Sequence, residues 1–388
     1  MRVALTAAAA ITPLRYYDDA VLLIEDGIIA AIGPRERCEL PRNVRLVNFP
    51  DGVIVPGFID IHLHGGAGHD VMSADSEAMA ALERHLARHG VTSYLPTTVT
   101  APVEHTLSAL SSLADRVKGG RSTNGEPAAC PVGIHLEGPF ISHAKRGAHP
   151  AEHIQAPSVE LFERFWNAAK GQIKLLTLAP ELPGALDVIA AADERGVCVA
   201  MGHSDADYGL ARAGIAAGAR HATHTFNAMH TLGHRDPGIV AAVLTDSYVS
   251  AEIICDGLHV APAMVELFLR MKGREAAVLV TDAISATGMP DGRYRLGVGE
   301  VQLQGERCLS PDGRLAGSIL TMDRAVRNAR EFARRGLEDV VPMVTTNPAR
   351  VAGLGISRGA LVPGARADVL VLSRQGEVLQ TIVQGRGL

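Results

Sequence analysis

The sequence predicts an α/β fold: a (β/α)8 TIM-like barrel of the metal-dependent hydrolase kind, with a small β-sandwich domain built from both chain ends. Three observations predict it. Short β-rich runs alternate with helical patterns through the middle of the chain. Both ends read instead as short strands and turns. The 388 residues leave room for a barrel and a second unit, since a barrel takes ~250 residues.

Val3 to Ile11 follows Met1-Arg2 and is apolar, which is also the outline of a weak leader peptide. It stops at Thr12-Pro13, and a hairpin follows at once: Val21 to Ile24, Asp26-Gly27, then Ile28-Ile29. The stretch therefore reads as a first strand, and the protein as cytoplasmic. Val44 to Phe49, a turn at Asp51-Gly52 and Val53 to Val55 continue the pattern. Near the other end, Ala367 to Leu372 and Val378 to Val383 match it. The small domain is expected over residues 1–55 and 358–388, and the barrel over 56–357.

The barrel strands are read at Phe58–His64, Thr92–Thr98, Gly133–Gly138, Ile173–Pro180, Val197–His203, His221–Phe226, Val249–Gly257 and Ala277–Ala283. A helix over Asp75–His89 presents Met79, Leu82 and Leu86 on one face and stops at Gly90. A last helix, Met322–Arg335, stops at Gly336. Between the eighth strand and that helix, Met289 to Ser318 reads as a hairpin insertion in a loop above the barrel.

Composition narrows the function. Lys plus Arg is 37 and Asp plus Glu is 42, a net charge of −5. That balance argues against general nucleic-acid binding, which needs a basic surface. No apolar run reaches the ~18 residues of a membrane span. The five cysteines are scattered and never spaced as CxxC, which argues against a disulfide framework or a thiolate zinc site.

The histidines carry the chemistry. His62 and His64 sit two apart on a strand and so point to the same face, at the C-terminal barrel end where active sites lie. Other predicted strands end in His135-Leu136-Glu137, Met201-Gly202-His203, Thr223-His224-Thr225, Asp256-Gly257-Leu258-His259 and Thr281-Asp282-Ala283. Imidazole and carboxylate are the natural ligands of zinc and its neighbours. A set of them at strand ends points to a divalent metal.

Several strings carry a resemblance: Pro56-Gly57-Phe58-Ile59-Asp60-Ile61-His62-Leu63-His64-Gly65-Gly66, His135-Leu136-Glu137-Gly138-Pro139, Leu178-Ala179-Pro180-Glu181 and Gly202-His203-Ser204-Asp205-Ala206. Asn227-Ala228-Met229, Asp256-Gly257-Leu258-His259, Val280-Thr281-Asp282-Ala283 and Leu315-Ala316-Gly317-Ser318 add to it. Over nearly its whole length the chain resembles the amidohydrolase superfamily and, within it, the N-acetylglucosamine-6-phosphate deacetylases. The resemblance implies one or two divalent metals per chain: zinc first, with iron, cobalt or manganese as alternatives. It assigns the main metal to Glu137, His203 and His224, and a second to His62 and His64 with Glu137 bridging. Superfamily relatives that bridge with a carboxylated lysine carry it on strand four. Here Lys174 lies at the wrong end of that strand.

Asp282, beside the metal water, suits proton transfer to a leaving nitrogen, and the resemblance makes it the catalytic acid/base. The substrate it implies is a phosphorylated amino sugar, N-acetylglucosamine 6-phosphate or its galactosamine counterpart. Arg235 is expected to bind the phosphate, as a guanidinium fork suits its oxygens. His259 is expected on the sugar and phosphate side, and His149 at the substrate carbonyl. Asn227, Ala228, Ala148, Leu315, Ala316 and Gly317 are expected to line the substrate. Thr225-Phe226 departs from the family's Leu-Tyr at that point. A homodimer is the family expectation.

Overall fold

The structure, a computed structural model, describes residues 2–73, 75–119 and 126–387. Eight strands run parallel in chain order: Phe58–Leu63, Val91–Thr98, Ile134–Glu137, Ile173–Leu178, Cys198–Met201, His221–Ala222, Ser250–Ile254 and Ala277–Val280. The barrel closes between the eighth strand and the first at their C-terminal ends. There the His64 N–H donates to the Ala283 carbonyl at 2.7 Å, and the Asp282 N–H to the His62 carbonyl at 2.9 Å. Barrel closure and the His62/His64/Asp282 grouping are therefore one event.

Helices cover the outside. Ser76–Arg88 starts where the Asp75 carboxylate accepts the N–H groups of Glu77 and Ala78, a side-chain cap worth about 1 kcal/mol. Its buried face is Met79, Leu82 and Leu86. Ser158 and Asp207 cap Val159–Ala168 and Tyr208–Ala217 in the same way. Phe58, Tyr94, Phe140, Phe162, Phe165 and Phe268 are the largest fully buried side chains.

The chain ends form a six-stranded sheet in the order Val378–Ile382, Val369–Leu372, Arg45–Pro56, Arg2–Ile11, Tyr16–Glu25, Ile28–Pro34. Apolar clusters cover both of its faces. Asp51-Gly52 is not the expected turn. Arg45–Pro56 is one strand, parallel to Arg2–Ile11 on both sides of a bulge: Ala7 pairs with Phe49 and Ala9 with Val53. The insertion has three strands, Gly292–Leu296, Gly299–Gln304 and Arg307–Leu309, one more than a hairpin.

A buried ion pair joins the sheet to the barrel. Arg358 donates to Asp368 and, at 2.9 Å, to Ser93 Oγ on the second barrel strand. Asp368 also accepts the Gln384 N–H at 2.8 Å, while its carbonyl accepts the Gly57 N–H at 2.9 Å. Removing one partner of such a pair strands the other charge, at a cost of ~3–5 kcal/mol.

Candidate active site

The fifth, sixth and eighth strands end sooner than their sequence pattern suggests, because the backbone turns sharply at the residues of interest. His203, His224 and Asp282 take φ of +47°, +24° and +49°. Left-handed backbone costs a side chain ~1–2 kcal/mol, and such strain collects at functional sites. Here it turns three side chains out of the sheet and into the barrel mouth.

The two histidines converge on the Glu137 carboxylate, which is 2% exposed. Its Oε1 lies 3.3 Å from His62 Nε2, 3.2 Å from His203 Nε2 and 3.3 Å from His224 Nε2. Its Oε2 lies 3.3 Å from both His64 Nε2 and His149 Nε2. Asp282 Oδ1 is 3.2 Å from His64 Nε2. Five imidazoles thus surround one buried carboxylate.

The far side of each ring fixes what its near side offers. His64 Nδ1 lies 3.0 Å from the Thr97 carbonyl, His203 Nδ1 2.9 Å from the Lys145 carbonyl, and His62 Nδ1 2.9 Å from the Glu252 carboxylate. Each acceptor draws the ring proton to Nδ1 and leaves a lone pair on Nε2, the arrangement of metal-binding histidine. His149 is the opposite case: its Nδ1 accepts the Thr100 N–H at 3.2 Å. Its neutral ring therefore carries the proton on Nε2 and presents a donor. By distance alone Glu137, His149 and His203 form a compact group, as do His62, His64 and Glu137. The tautomers separate them, and His149 is not a ligand in its neutral form.

The donor set fits a cation. The Nε2 atoms of His203 and His224 face each other at 3.0 Å, and with His203 protonated at Nδ1 a lone pair points into that contact. Among the described residues, buried His62 Nε2 and His224 Nδ1 have no hydrogen-bond partner. The anions of the cluster favour positive charge here, held as a ring proton where no cation competes for the same lone pair. Burial pushes His64 down, but Asp282 and Glu137 outweigh it and raise its pKa to about 9. Burial would likewise raise Asp282, yet His64 and His62 bring it down to about 2. Burial and His203 lower His149 to about 4, so it stays neutral.

Above this cluster lies a cavity of about 150 Å³, lined by His64, Glu137, His149, His203, His224 and Asp282. Ala148, Asn227, Ala228, His259, Leu315, Ala316 and Gly317 complete its expected lining. A larger groove of about 830 Å³ lies elsewhere, between the first helix and the inserted strands. Among the described residues it brings no comparable set of buried ligands together.

Arg235 is the exception. It is exposed and does not line the cavity. The Gly233 N–H bonds the Asp236 carbonyl at 2.9 Å, and the Asp236 side chain lies 3.0 Å from His230 Nε2. These contacts fold the loop onto itself at the surface. Phe226 turns its ring toward Phe268, 6.4 Å between centroids, and not into the cavity. Glu181 anchors a loop, accepting from Ser204 Oγ and the Asp205 N–H, each at 2.7 Å.

Two further residues shape the site. Asp256 Oδ2 lies 2.6 Å from His259 Nδ1. It offsets the effect of burial and raises the His259 pKa. Glu252 is fully buried behind His62. Its signal was an acid inside the apolar run Val249 to Cys255.

The Amidohydrolase family model matches residues 53–388. The chain belongs to the amidohydrolase family. It is 39% identical over 382 residues, 98% of both chains, to N-acetylgalactosamine-6-phosphate deacetylase of Escherichia coli O157:H7. It is 36% identical to N-acetylglucosamine-6-phosphate deacetylase of Bacillus subtilis, covering 93% of this chain and 91% of that one. The solved N-acetyl-D-glucosamine-6-phosphate deacetylase of Mycobacterium smegmatis, in complex with N-acetyl-D-glucosamine 6-phosphate, superposes with a TM-score of 0.92. That match has 34% identity and covers 100% of this chain and 99% of the other. Amidohydrolases are metal-dependent, and this one has His/Glu groups able to hold a metal.

The cation should stabilise this amidohydrolase as well as activate it. After chelation, adding back a divalent metal to ~100 times its Kd should contribute about 2.7 kcal/mol, read as a rise in Tm. An unchanged Tm in protein verified to be metal-free before addition would mean that the cluster binds no cation.

Proposed function

We propose that this amidohydrolase removes the acetyl group of N-acetyl-D-glucosamine 6-phosphate, giving D-glucosamine 6-phosphate and acetate in amino-sugar catabolism. The single observation that carries this reading is the Glu137 cluster under a cavity lined by Asp282, His149 and His259. The names of relatives across nearly the whole chain support it. The 39% identity to an N-acetylgalactosamine-6-phosphate deacetylase favours one second reading, the C4 epimer as substrate.

Glu137, His203 and His224 would hold the main metal, and His62 and His64 a second, with Glu137 between them. Zinc suits imidazole and carboxylate best; iron, cobalt or manganese also fit. When bound, such a cation lowers the pKa of water to around 7 and polarises a carbonyl. Asp282 takes a proton from the attacking water and returns it to the amide nitrogen as the C–N bond breaks. Held ionised by His64 and His62, it begins as the base. His149 donates from Nε2 to the acetamido oxygen as negative charge builds there. His259, whose pKa Asp256 raises, faces the phosphate side of the cavity, and Arg235 reaches the phosphate from outside it. Asn227, Ala228, Ala148, Leu315, Ala316 and Gly317 shape the remaining walls. The enzyme works in the cytoplasm, where its five free cysteines stay reduced, and as the homodimer the resemblance implies.

Release of free amine from a panel of N-acetyl sugars, with and without the 6-phosphate and in both C4 configurations, tests the assignment. The phosphorylated glucosamine derivative should have the highest kcat/KM. A preferred unphosphorylated substrate would overturn it, and a preferred galactosamine derivative would establish the second reading.

Asp282→Asn keeps the shape but cannot take the proton. General acid–base catalysis contributes ~10²–10⁴-fold, so kcat should fall by that order while metal content holds. A variant within a few-fold of the parent would assign the proton transfer to another group.

Arg235→Ala tests the phosphate contact through a ratio of efficiencies. A charge-assisted hydrogen bond contributes ~1.5–3 kcal/mol, so kcat/KM for the phosphorylated sugar should drop ~10-fold or more. The unphosphorylated sugar should be almost unaffected. Equal losses on both would leave His259 as the phosphate ligand.

A further inference from the structure

Glu252 belongs to no expected ligand set, yet its buried side chain meets three histidines. It sits at 0% exposure in the middle of the seventh strand, between buried Ala251 and Ile253. Oε2 lies 2.9 Å from His62 Nδ1 and accepts the His224 N–H at 3.1 Å. Oε1 lies 3.1 Å from His221 Nε2. The Glu252 carbonyl accepts the Thr225 N–H at 2.9 Å. One side chain therefore touches a residue from each of the two proposed metal sites, and its strand fixes the turn that carries His224.

We propose that Glu252 is a positioning residue for the second metal: it accepts the Nδ1 proton of His62 and so keeps the His62 Nε2 lone pair aimed at the cation beside Glu137. The inference rests on the two-metal reading above. Without an acceptor at Nδ1, the His62 proton moves to Nε2, 3.3 Å from Glu137 Oε1. His62 then becomes a donor to the bridging carboxylate and ceases to be a ligand. Among the described residues no other carboxylate takes over at Nδ1: Asp60 meets the His62 backbone N–H at 3.3 Å, not its ring. The edge of His135 packs against the His62 ring at 4.7 Å between centroids. His135 is itself saturated, with Nδ1 3.1 Å from the Ile61 carbonyl and Nε2 2.7 Å from Thr177 Oγ1. His64 has its own acceptor, the Thr97 carbonyl. Among the metal-site rings, Glu252 therefore sets the proton of His62 alone; it meets His224 only at the backbone N–H.

The experiment is metal stoichiometry and affinity, by elemental analysis and zinc titration, on parent, Glu252→Leu and Glu252→Gln, with circular dichroism to check the fold. Glu252→Leu removes the acceptor and should bind one zinc where the parent binds two, keeping the site at Glu137, His203 and His224. Glu252→Gln can still turn its amide oxygen toward His62 and its NH2 toward His221, so it should recover most of the second site. A merely structural role would lower stability without this split between two isomorphous variants. Loss of an outer partner of a metal-bound histidine typically costs ~10–100-fold in affinity. If Glu252→Leu fails to fold, Glu252→Asp, which keeps the charge but withdraws it, should weaken the second site alone by that order. Two zinc ions held with parent affinity in Glu252→Leu or Glu252→Asp overturn the proposal. A parent that binds one zinc or none instead overturns the two-metal reading beneath it.

Discussion

Burying the carboxylate of Glu137 at the mouth of a barrel sets the terms for everything around it. An isolated ionised carboxylate in a low-dielectric interior is prohibitively costly, so it must be matched by positive charge within a few ångströms. Five imidazoles surround it. His62, His64 and His203 present lone pairs, which is a poor match for an anion and a good one for a cation held between. The requirement passes outward. The lone pairs exist only because other atoms take the opposite ring protons: the carbonyls of Thr97 and Lys145, and the carboxylate of Glu252. His149 is set apart by one backbone N–H, from Thr100.

The floor beneath the site is correspondingly polar. His62, His135, His221, Glu252, Thr177 and Thr223 are all fully buried, where a barrel is more often filled with branched apolar side chains. Their hydrogen bonds form two chains, His135 to Thr177 to Thr223 and His221 to Glu252 to His62, which meet where the rings of His135 and His62 pack 4.7 Å apart. A layer of this kind is tolerated only when nearly every member is satisfied. In return it holds the ligand rings rigid from below. Closure of the sheet does the same from the side, since the bond from Asp282 to the His62 carbonyl brings the first and eighth strands together. The Ser318 N–H then bonds the Asp282 carbonyl at 2.8 Å, which brings Leu315, Ala316 and Gly317 to the cavity.

The barrel was legible in the sequence because alternation of short β-rich runs with amphipathic helices has few other solutions. His62 and His64 were legible because a strand has a period of two. The ends of the fifth and sixth strands were not. Their apolar patterns run on through His203 and Phe226, but left-handed turns at His203 and His224 take the chain out of the sheet. Asp51-Gly52 misled for a related reason: the same dipeptide that makes a turn also makes a bulge, and pairing with Arg2–Ile11 decides between them.

By itself, the sequence determined which residue types stand at the strand ends, and hence the fold class and a metal-binding site. Covalent order and side-chain periodicity are local properties, and they are enough for that. Only the tertiary structure decided which nitrogen of His62, His64, His149 and His203 is free, because a tautomer is set by the atom across the ring, often far away in the chain. Glu252 and His62 are 190 residues apart, and no spacing rule connects them. It also decided that Arg235 stands at the surface while His259, paired with Asp256, lines the cavity. Both residue types can attract a phosphate, but position follows from how the loops fold over the barrel, which residue type does not encode.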